Sequence, residues 1–309
     1  MIHLRLIVPS PDTDGIVGHL AGLPGVAHLV RLDGAALAPV GDVVLCDVVR
    51  EAADEIVEWL QDRGVHHAGA VTIDAPDTVV SDAAERADRA VPGQGSDALI
   101  WEQLEARARE DGITTPSFLV FMAIASVIAV AGILLDSPVL IVGAMVVGPE
   151  YGPLAATCVA LARGRMATAG RAVRSLLVGL GVAGAVALVA TLAFQATGLA
   201  PERYDVSDRQ LTAFISHPDG LAAVVAVLAG VAGMLALTQA RSGVLVGVLV
   251  SVTTIPAIAN VGAAASYGEW DEVGGAAAQL ALNVAGLLVA GVATLVVQHR
   301  LTRARLSAR

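Results

Sequence analysis

The chain has 309 residues, of which 55% are hydrophobic, and a formal net charge of −10 at pH 7. A hydrophobic share above the ~45–50% typical of soluble domains excludes an ordinary soluble protein. All 19 basic residues are arginines, so Schiff-base and lysine-nucleophile chemistry is excluded as well.

Charge divides the chain into two parts. Residues 1–115 carry 20 acidic residues and 8 arginines, whereas residues 116–309 carry 9 acidic residues and 11 arginines. Long apolar runs begin at residue 116, which indicates a polytopic membrane region behind an acidic soluble region. The first residues run directly into a strand pattern without the features of a signal peptide, so we expect the soluble region to stay in the cytoplasm.

The soluble region predicts an α+β domain. Over residues 1–75 the pattern is strand, helix, strand, strand, helix, strand, which is typical of a ferredoxin-like sandwich. Residues 76–96 are polar and rich in helix breakers, so they are predicted as a linker. Residues 97–111 predict an amphipathic helix containing Trp101. It either lies at the membrane surface, docks on a neighbouring subunit or packs on its own soluble domain.

Residues 112–300 predict an all-α membrane domain, followed by an Arg-rich cytoplasmic tail at 301–309. The candidate spans are six, at 116–135, 138–162, 175–194, 221–240, 243–267 and 276–297. Arginines follow spans two, four and six, whereas acidic residues dominate the other connections. The positive-inside rule then predicts that both termini lie on the cytoplasmic side of the membrane, which we expect to be a plasma (inner) membrane.

Spans two and five are both interrupted by proline. Each has 25 residues and an interior proline, Pro149 and Pro256 respectively. Because three crossings reverse the direction of the chain, the six spans predict a 3+3 inverted repeat with two broken helices. Such breaks commonly form the substrate or ion site of a transporter.

Glu150 is the only charged residue inside any predicted span. A carboxylate at this depth needs a cavity, a partner, a bound cation or a proton, which makes Glu150 a candidate ion or proton site. A solvated position in a shallow funnel is the competing interpretation. The predicted substrate- or ion-binding residues are Gly148, Pro149, Glu150, Tyr151 and Gly152 at the first break, Thr253, Thr254, Pro256 and Asn260 at the second, and Asn283 in span six.

Several motifs carry a family resemblance. They are Leu135-Asp136-Ser137-Pro138, Gly143-Ala144-Met145 and the pair Pro149 and Pro153, followed by an Arg-rich turn. With the proline-centred stretch 251–260, they resemble the bacterial membrane proteins of domain of unknown function 389 (DUF389). The resemblance covers about residues 116–265 and implies a membrane topology, with no activity attached.

The leading functional hypothesis is a transporter or channel for a small solute or ion, regulated by the cytoplasmic domain. The alternative is a membrane-anchored sensor or assembly scaffold, whose soluble domain binds a metabolite or a partner. A water-accessible Glu150 in a polar cavity would favour transport, whereas a filled bundle with Glu150 capped by a neighbouring hydroxyl would favour the scaffold.

Other classes of function are not expected. The chain lacks metalloprotease and phosphate-loop motifs and has no Ser/His pair within the spans, so we predict no enzyme. We also predict no cofactor, no metal site and no nucleic-acid partner. The predicted partners are the lipid bilayer, a small solute or cation, and further copies of the chain through Gly-rich helix faces.

Overall fold

The structure is a computed structural model that describes residues 1–76, 78–91, 101–204, 211–212, 215–216, 218–239, 247–248 and 254–307. The chain divides into two compact units, Met1–Gln103 and Leu104–Arg309.

The N-terminal unit is built on a four-stranded sheet of order β2-β3-β1-β4. All neighbouring strands are antiparallel, and β1 lies between β3 and β4. The elements in chain order are β1 (Ile2–Val8), α1 (Ser10–Ala21), β2 (Val26–Leu37), β3 (Val40–Val48), α2 (Arg50–Asp62), α3 (Val65–Ala68), β4 (Ala70–Asp74) and α4 (Asp82–Ala90).

Every second residue of β1 contributes to the core of this unit. Successive side chains of a strand point to opposite faces, and Ile2, Leu4, Leu6 and Val8 are fully buried. They form one apolar cluster with buried residues of α1 and α2, including Leu60. Burial of each such side chain contributes roughly 1.5–3 kcal/mol, so this cluster holds both helices on the sheet.

Helix α4 lies within the stretch predicted as a linker. The Ser81 hydroxyl oxygen caps it by accepting hydrogen bonds from the backbone N–H groups of Ala83 and Ala84. Ala87 and Val91 are buried in a small apolar cluster of the unit. Although this stretch is polar in composition, alanines on one face of α4 pack against the rest of the N-terminal unit.

The C-terminal unit is helical. Helix α5 (Trp101–Asp111) contains the boundary between the units, and the helices that follow are α6 (Pro116–Leu134), α7 (Pro138–Val147), α8 (Tyr151–Ala162), α9 (Met166–Ala196), α10 (Gly220–Thr238), α11 (Thr254–Tyr267) and α12 (Trp270–Ser307).

Four of the described helices, α6, α9, α10 and α12, are long and apolar enough to cross a membrane. The bent pair α7 and α8 makes a fifth candidate when it is counted as one span. The predicted fifth span, 243–267, lies partly outside the described residues, which resume at the start of α11. Helices α9 and α12 are longer than the predicted spans, because both continue into the flanking polar residues.

Large apolar side chains on these helices point away from the protein. Leu177 and Val189 of α9, Leu221 of α10 and Val289 of α12 are each more than 60% exposed. Exposing these side chains to water would be unfavourable in free energy, whereas contact with lipid is favourable. The C-terminal unit therefore has the surface of a membrane protein.

Helices pack closely where small residues face each other. Helix α11 contacts α6, α9 and α12. A Cβ added at Gly262 of α11 would lie 2.5 Å from the Gly184 carbonyl oxygen and 2.6 Å from the Ala187 Cβ. Only glycine permits this approach, as is common in membrane helix pairs.

We therefore expect Gly262→Ala to destabilise the helical unit by about 1–3 kcal/mol through overpacking. The matched control is Gly181→Ala in α9, where an added Cβ would meet nothing within 4 Å. Thermal unfolding in detergent should show a lower midpoint for Gly262→Ala than for the control. Equal midpoints would contradict this packing.

Asp42, at the start of β3, is a buried carboxylate with several donors. It accepts hydrogen bonds from the Gly34 backbone N–H (2.8 Å) and the Ser10 hydroxyl (2.9 Å). The Gly34 bond in the first place, helped by hydroxyl donors, holds the Asp42 pKa below its ordinary value.

A lowered folded-state pKa stabilises the unit above the unfolded pKa of about 3.9, and this stabilisation is lost as pH falls through the folded value. We expect Asp42→Asn to weaken the N-terminal sheet at pH 7 and to reduce its further loss of stability below about pH 4. Amide-exchange protection of β1 and β3 in the full chain measures both effects. An unchanged pH profile would show that Asp42 has no such role.

Candidate functional site

The bend between α7 and α8 follows from its sequence. Pro149 has no N–H to donate and disfavours helical geometry at Gly148, which has a ψ of 127°. Helix α7 therefore ends at Val147, and α8 starts at Tyr151 with its axis turned by 54°. The turn between them carries Glu150.

The Glu150 carboxyl group is buried between the two predicted breaks. The residue is 2% exposed, and the Thr254 hydroxyl donates a hydrogen bond of 2.6 Å to its Oε1. Among the described residues no group donates to its Oε2, which is also buried. Among the described residues, only the Oε1 atom of this buried carboxyl group thus has a hydrogen-bond donor from another residue.

Backbone contact joins the same two breaks. A Cβ added at Gly148 would overlap Glu150 Oε2 and would lie 2.7 Å from Cγ1 of Ile255. Glycine at this position therefore lets the carboxyl group fold back while α11 approaches. Glu150, Gly148 and Thr254 form one cluster, which we call the Glu150 cluster.

The prolines have different positions at the two breaks. Pro149 separates α7 from α8, whereas Pro256 lies buried in the first turn of α11, where a missing N–H leaves no helix bond unmade. Thr253, a further predicted site residue, lies outside the described residues.

The other predicted site residues have different partners. The Tyr151 hydroxyl lies beside Gly233 of α10, and Gly152 lies beside Asp111 of α5. Asn283 accepts a hydrogen bond from the Gln279 amide within α12, at 3.3 Å. The structure therefore does not bring these residues into the Glu150 cluster.

Asn260 lies six residues after Thr254 on α11, and it is covered by Tyr204. The Tyr204 hydroxyl donates to Oδ1 of Asn260, and both residues are buried. The Tyr204 ring also packs at 5.0 Å from that of Tyr267, whose hydroxyl bonds the Pro201 carbonyl oxygen. Sequence reasoning missed Tyr204, because a lone tyrosine in a polar connection carries no periodic signal.

Helix α5 runs antiparallel along α8. Near one end of α8, the Glu105 carboxylate bonds Arg163 at 2.8 Å and Arg165 at 2.7 Å. At the other end, a Cβ added at Gly152 would lie 3.2 Å from the Asp111 Cβ. Helix α5 thus makes contacts near both ends of α8. The amphipathic pattern identified the helix but could not identify this neighbour.

The hydrogen bond between Thr254 and Glu150 generates a stability prediction. Thr254→Val keeps the shape of the side chain but leaves Glu150 Oε1 without its donor, which we expect to cost about 1–3 kcal/mol. The loss should be coupled to Glu150→Leu, which removes the acceptor, by about 0.5–3 kcal/mol in a double-mutant cycle measured by thermal unfolding in detergent.

Thr191→Val is the matched control, because Thr191 is equally buried but donates to the Ala187 carbonyl within its own helix. Its effect should add to that of Glu150→Leu without coupling. Strict additivity for Thr254→Val would contradict the bond.

Comparison with known families gives a match over the region that contains the Glu150 cluster. The family model described as Domain of unknown function (DUF389) matches residues 145–289, from the end of α7 to the middle of α12. No curated protein and no solved structure matches the chain. The description of the family assigns no activity. This match supports membership of the chain in the DUF389 family.

Proposed function

We propose that this protein is a membrane transporter for a small cation or a solute coupled to protons, with Glu150 as the coupling group. The observation that carries the proposal is the Glu150 cluster, in which a buried carboxylate from one helix break meets a hydroxyl at the start of α11. The second carboxylate oxygen has no protein donor among the described residues.

Charge balance supports a mobile partner for this carboxylate. Placing an ionised side chain at the centre of a bilayer costs ~2.5–3.5 kcal/mol on insertion scales, and more by simulation. No arginine lies within the predicted spans to neutralise Glu150. A proton or a small cation supplies the missing positive charge, and either one is a species that a carrier moves.

Two contacts close the site, one toward each end of the bundle. Tyr204 covers Asn260 beyond one side of the Glu150 cluster. Helix α5 covers the other side, through Asp111 at the break and Glu105 at the arginine turn. Closure on both sides is the arrangement of an occluded carrier between its two open states.

The contacts between helices support a 3+3 inverted repeat of six spans. The first and third members of each triplet pack together, α6 with α9 and α10 with α12. The broken members contact both triplets, because α8 contacts α9 and α12, and α11 contacts α6, α9 and α12.

The N-terminal unit is proposed to be a ferredoxin-like regulatory domain. Its strand order and its two β-α-β units support that fold. In this proposal the domain and both termini lie on the cytoplasmic side of a bacterial plasma membrane, which the distribution of arginines supports. Assembly into a homo-oligomer through the Gly-rich helix faces belongs to the same proposal. The spans are proposed to perform no catalysis and to need no cofactor.

A membrane-anchored sensor or scaffold is the second candidate, and one observation favours it. Glu150 is buried and capped by the Thr254 hydroxyl, which is the arrangement expected of a filled bundle. In this proposal the Glu150 Oε2 atom, which accepts from none of the described residues, is the feature that favours transport over a scaffold, because buried polar groups normally have hydrogen-bond partners.

Proton flux into proteoliposomes tests the proposal. Vesicles that contain purified protein and a pH-sensitive dye are energised with a potassium diffusion potential, and acidification is recorded. We expect protein-dependent proton entry that falls at least about tenfold in Glu150→Gln, because the amide cannot carry a proton.

Glu269→Gln is the matched control, since Glu269 is an exposed acid outside the helices. This variant should retain the flux of the wild type. Absent proton entry in the wild type, or equal flux in Glu150→Gln, would contradict proton coupling and favour the scaffold.

A further inference from the structure

A serine, a histidine and an aspartate line up on the surface of the N-terminal unit. His28 Nε2 lies 2.7 Å from the Ser81 hydroxyl oxygen, and His28 Nδ1 lies 2.6 Å from Asp47 Oδ2. Because Asp47 accepts hydrogen bonds, the proton lies on Nδ1, and the lone pair of Nε2 faces Ser81. This is the order of groups that activates a serine nucleophile.

The backbone conformation at His28 is unusual. It has a φ of +49°, rare for a residue with a side chain, and it lies where the pairing of β2 with β3 shifts register between Ala27 and Val30. Such a bulge redirects a side chain away from its regular place in the pleat. Strain of this kind is concentrated at functional positions.

Asp47 is held as a fixed anion beside His28. Its Oδ1 also bonds His3 Nδ1 at 2.8 Å, so a histidine is bound to each carboxylate oxygen. Partial burial acts to raise the Asp47 pKa, but the hydrogen bonds from His28 and His3 outweigh it and bring the pKa below its ordinary value. An ionised Asp47 orients the His28 ring through this hydrogen bond.

Because Ser81 caps α4 as an acceptor, its hydroxyl proton remains available for a hydrogen bond to His28. The Ser81 oxygen accepts from the Ala83 and Ala84 backbone N–H groups, at 3.2 and 3.4 Å, as the cap of α4. An acceptor role uses the lone pairs of the oxygen, and its proton remains free to point at His28. The positive end of the helix also favours negative charge developing at this oxygen.

We propose that Ser81 is a nucleophile that cleaves small neutral carboxylic esters, with His28 as general base and Asp47 as a positioning residue. The His28 side chain is 36% exposed, so an ester in water can reach the pair. Asp82 and Glu85 in the first turn of α4 repel anions, which excludes acyl phosphates and favours uncharged esters.

The reaction proceeds in two balanced steps. The Ser81 oxygen bonds the ester carbonyl carbon while its proton passes to His28 Nε2, and His28 returns that proton to the departing alcohol as the ester C–O bond breaks. Water, deprotonated by His28, then attacks the acyl-serine, releasing the carboxylic acid and restoring the Ser81 hydroxyl.

A fluorophosphonate reagent tests Ser81 in the full-length protein, because attack on phosphorus expels fluoride and leaves a stable adduct. We expect peptide mass spectrometry to locate the adduct on Ser81. Ser10→Ala should label normally, since Ser10 bonds the Asp42 carboxylate rather than a histidine. Hydrolysis of p-nitrophenyl acetate should be lost in Ser81→Ala.

His28→Gly separates catalysis from folding. Glycine accepts the positive φ without strain, so the sheet is retained while the base is removed. Labelling should slow about 100-fold or more and should recover partly when free imidazole is added. Asp47→Asn should lower the maximal labelling rate without changing the half-saturating reagent concentration.

An unlabelled Ser81 in the wild type, or labelling that persists undiminished in His28→Gly, would overturn the proposal and leave Ser81 as a helix cap only. Absent recovery with imidazole would overturn the assignment of His28 as the base.

Discussion

The hydrogen bond from Thr254 to Glu150 is the interaction on which the helical unit depends. It places a carboxyl group between α8 and α11, in surroundings where polar groups that lack partners are costly. The low dielectric of these surroundings strengthens the hydrogen bond between Thr254 and Glu150. It also raises the free-energy cost of leaving Glu150 Oε2 without a donor. The Glu150 carboxyl group is therefore part of both the helix packing and the proposed transport. A proton or a cation completes the cluster when bound, and its departure leaves a state that must rearrange.

Small residues allow the helices to approach closely enough for this hydrogen bond to form. Gly148 lets the carboxyl group fold back against α11, and Gly262 lets α11 reach the backbone of α9. Side chains at these positions would separate the helices and pull Thr254 from Glu150. Polar bonds between helices add to this packing, as between the Ser126 hydroxyl of α6 and the Ala183 carbonyl of α9, at 2.6 Å. Close packing at these two glycines therefore holds the Glu150 cluster together.

Local patterns made much of the fold readable from sequence. The alternation in β1 and the long apolar runs predict strands and spans, because both depend on the immediate chemical surroundings of each residue. The break at Pro149 follows from the missing N–H, and Glu150 is conspicuous as a lone charge. Thr254 was identified through its position beside Pro256. Its pairing with Glu150, 104 residues away, depends on packing that no local pattern encodes.

Other features were hidden for the same reason. Helix α4 looked like a linker because its apolar face is made only of alanines, and Tyr204 had no neighbours in sequence that marked it as a cover for Asn260. Asn283 was chosen for its depth in a span, but the structure pairs it with Gln279 on its own helix. The alignment of Ser81, His28 and Asp47 depends on a bulge in β2, which alternation alone does not reveal.

Reaction of the membrane-embedded protein with dicyclohexylcarbodiimide tests the central claim most directly, because this apolar reagent modifies protonated carboxyl groups in apolar surroundings. The account predicts an adduct on Glu150, located by mass spectrometry, that forms more slowly as pH rises and is absent from Glu150→Gln. Repeated exchange of the site with water and protons requires this reactivity. No adduct on Glu150 at any pH would contradict the account and show a carboxyl group locked permanently in a structural bundle.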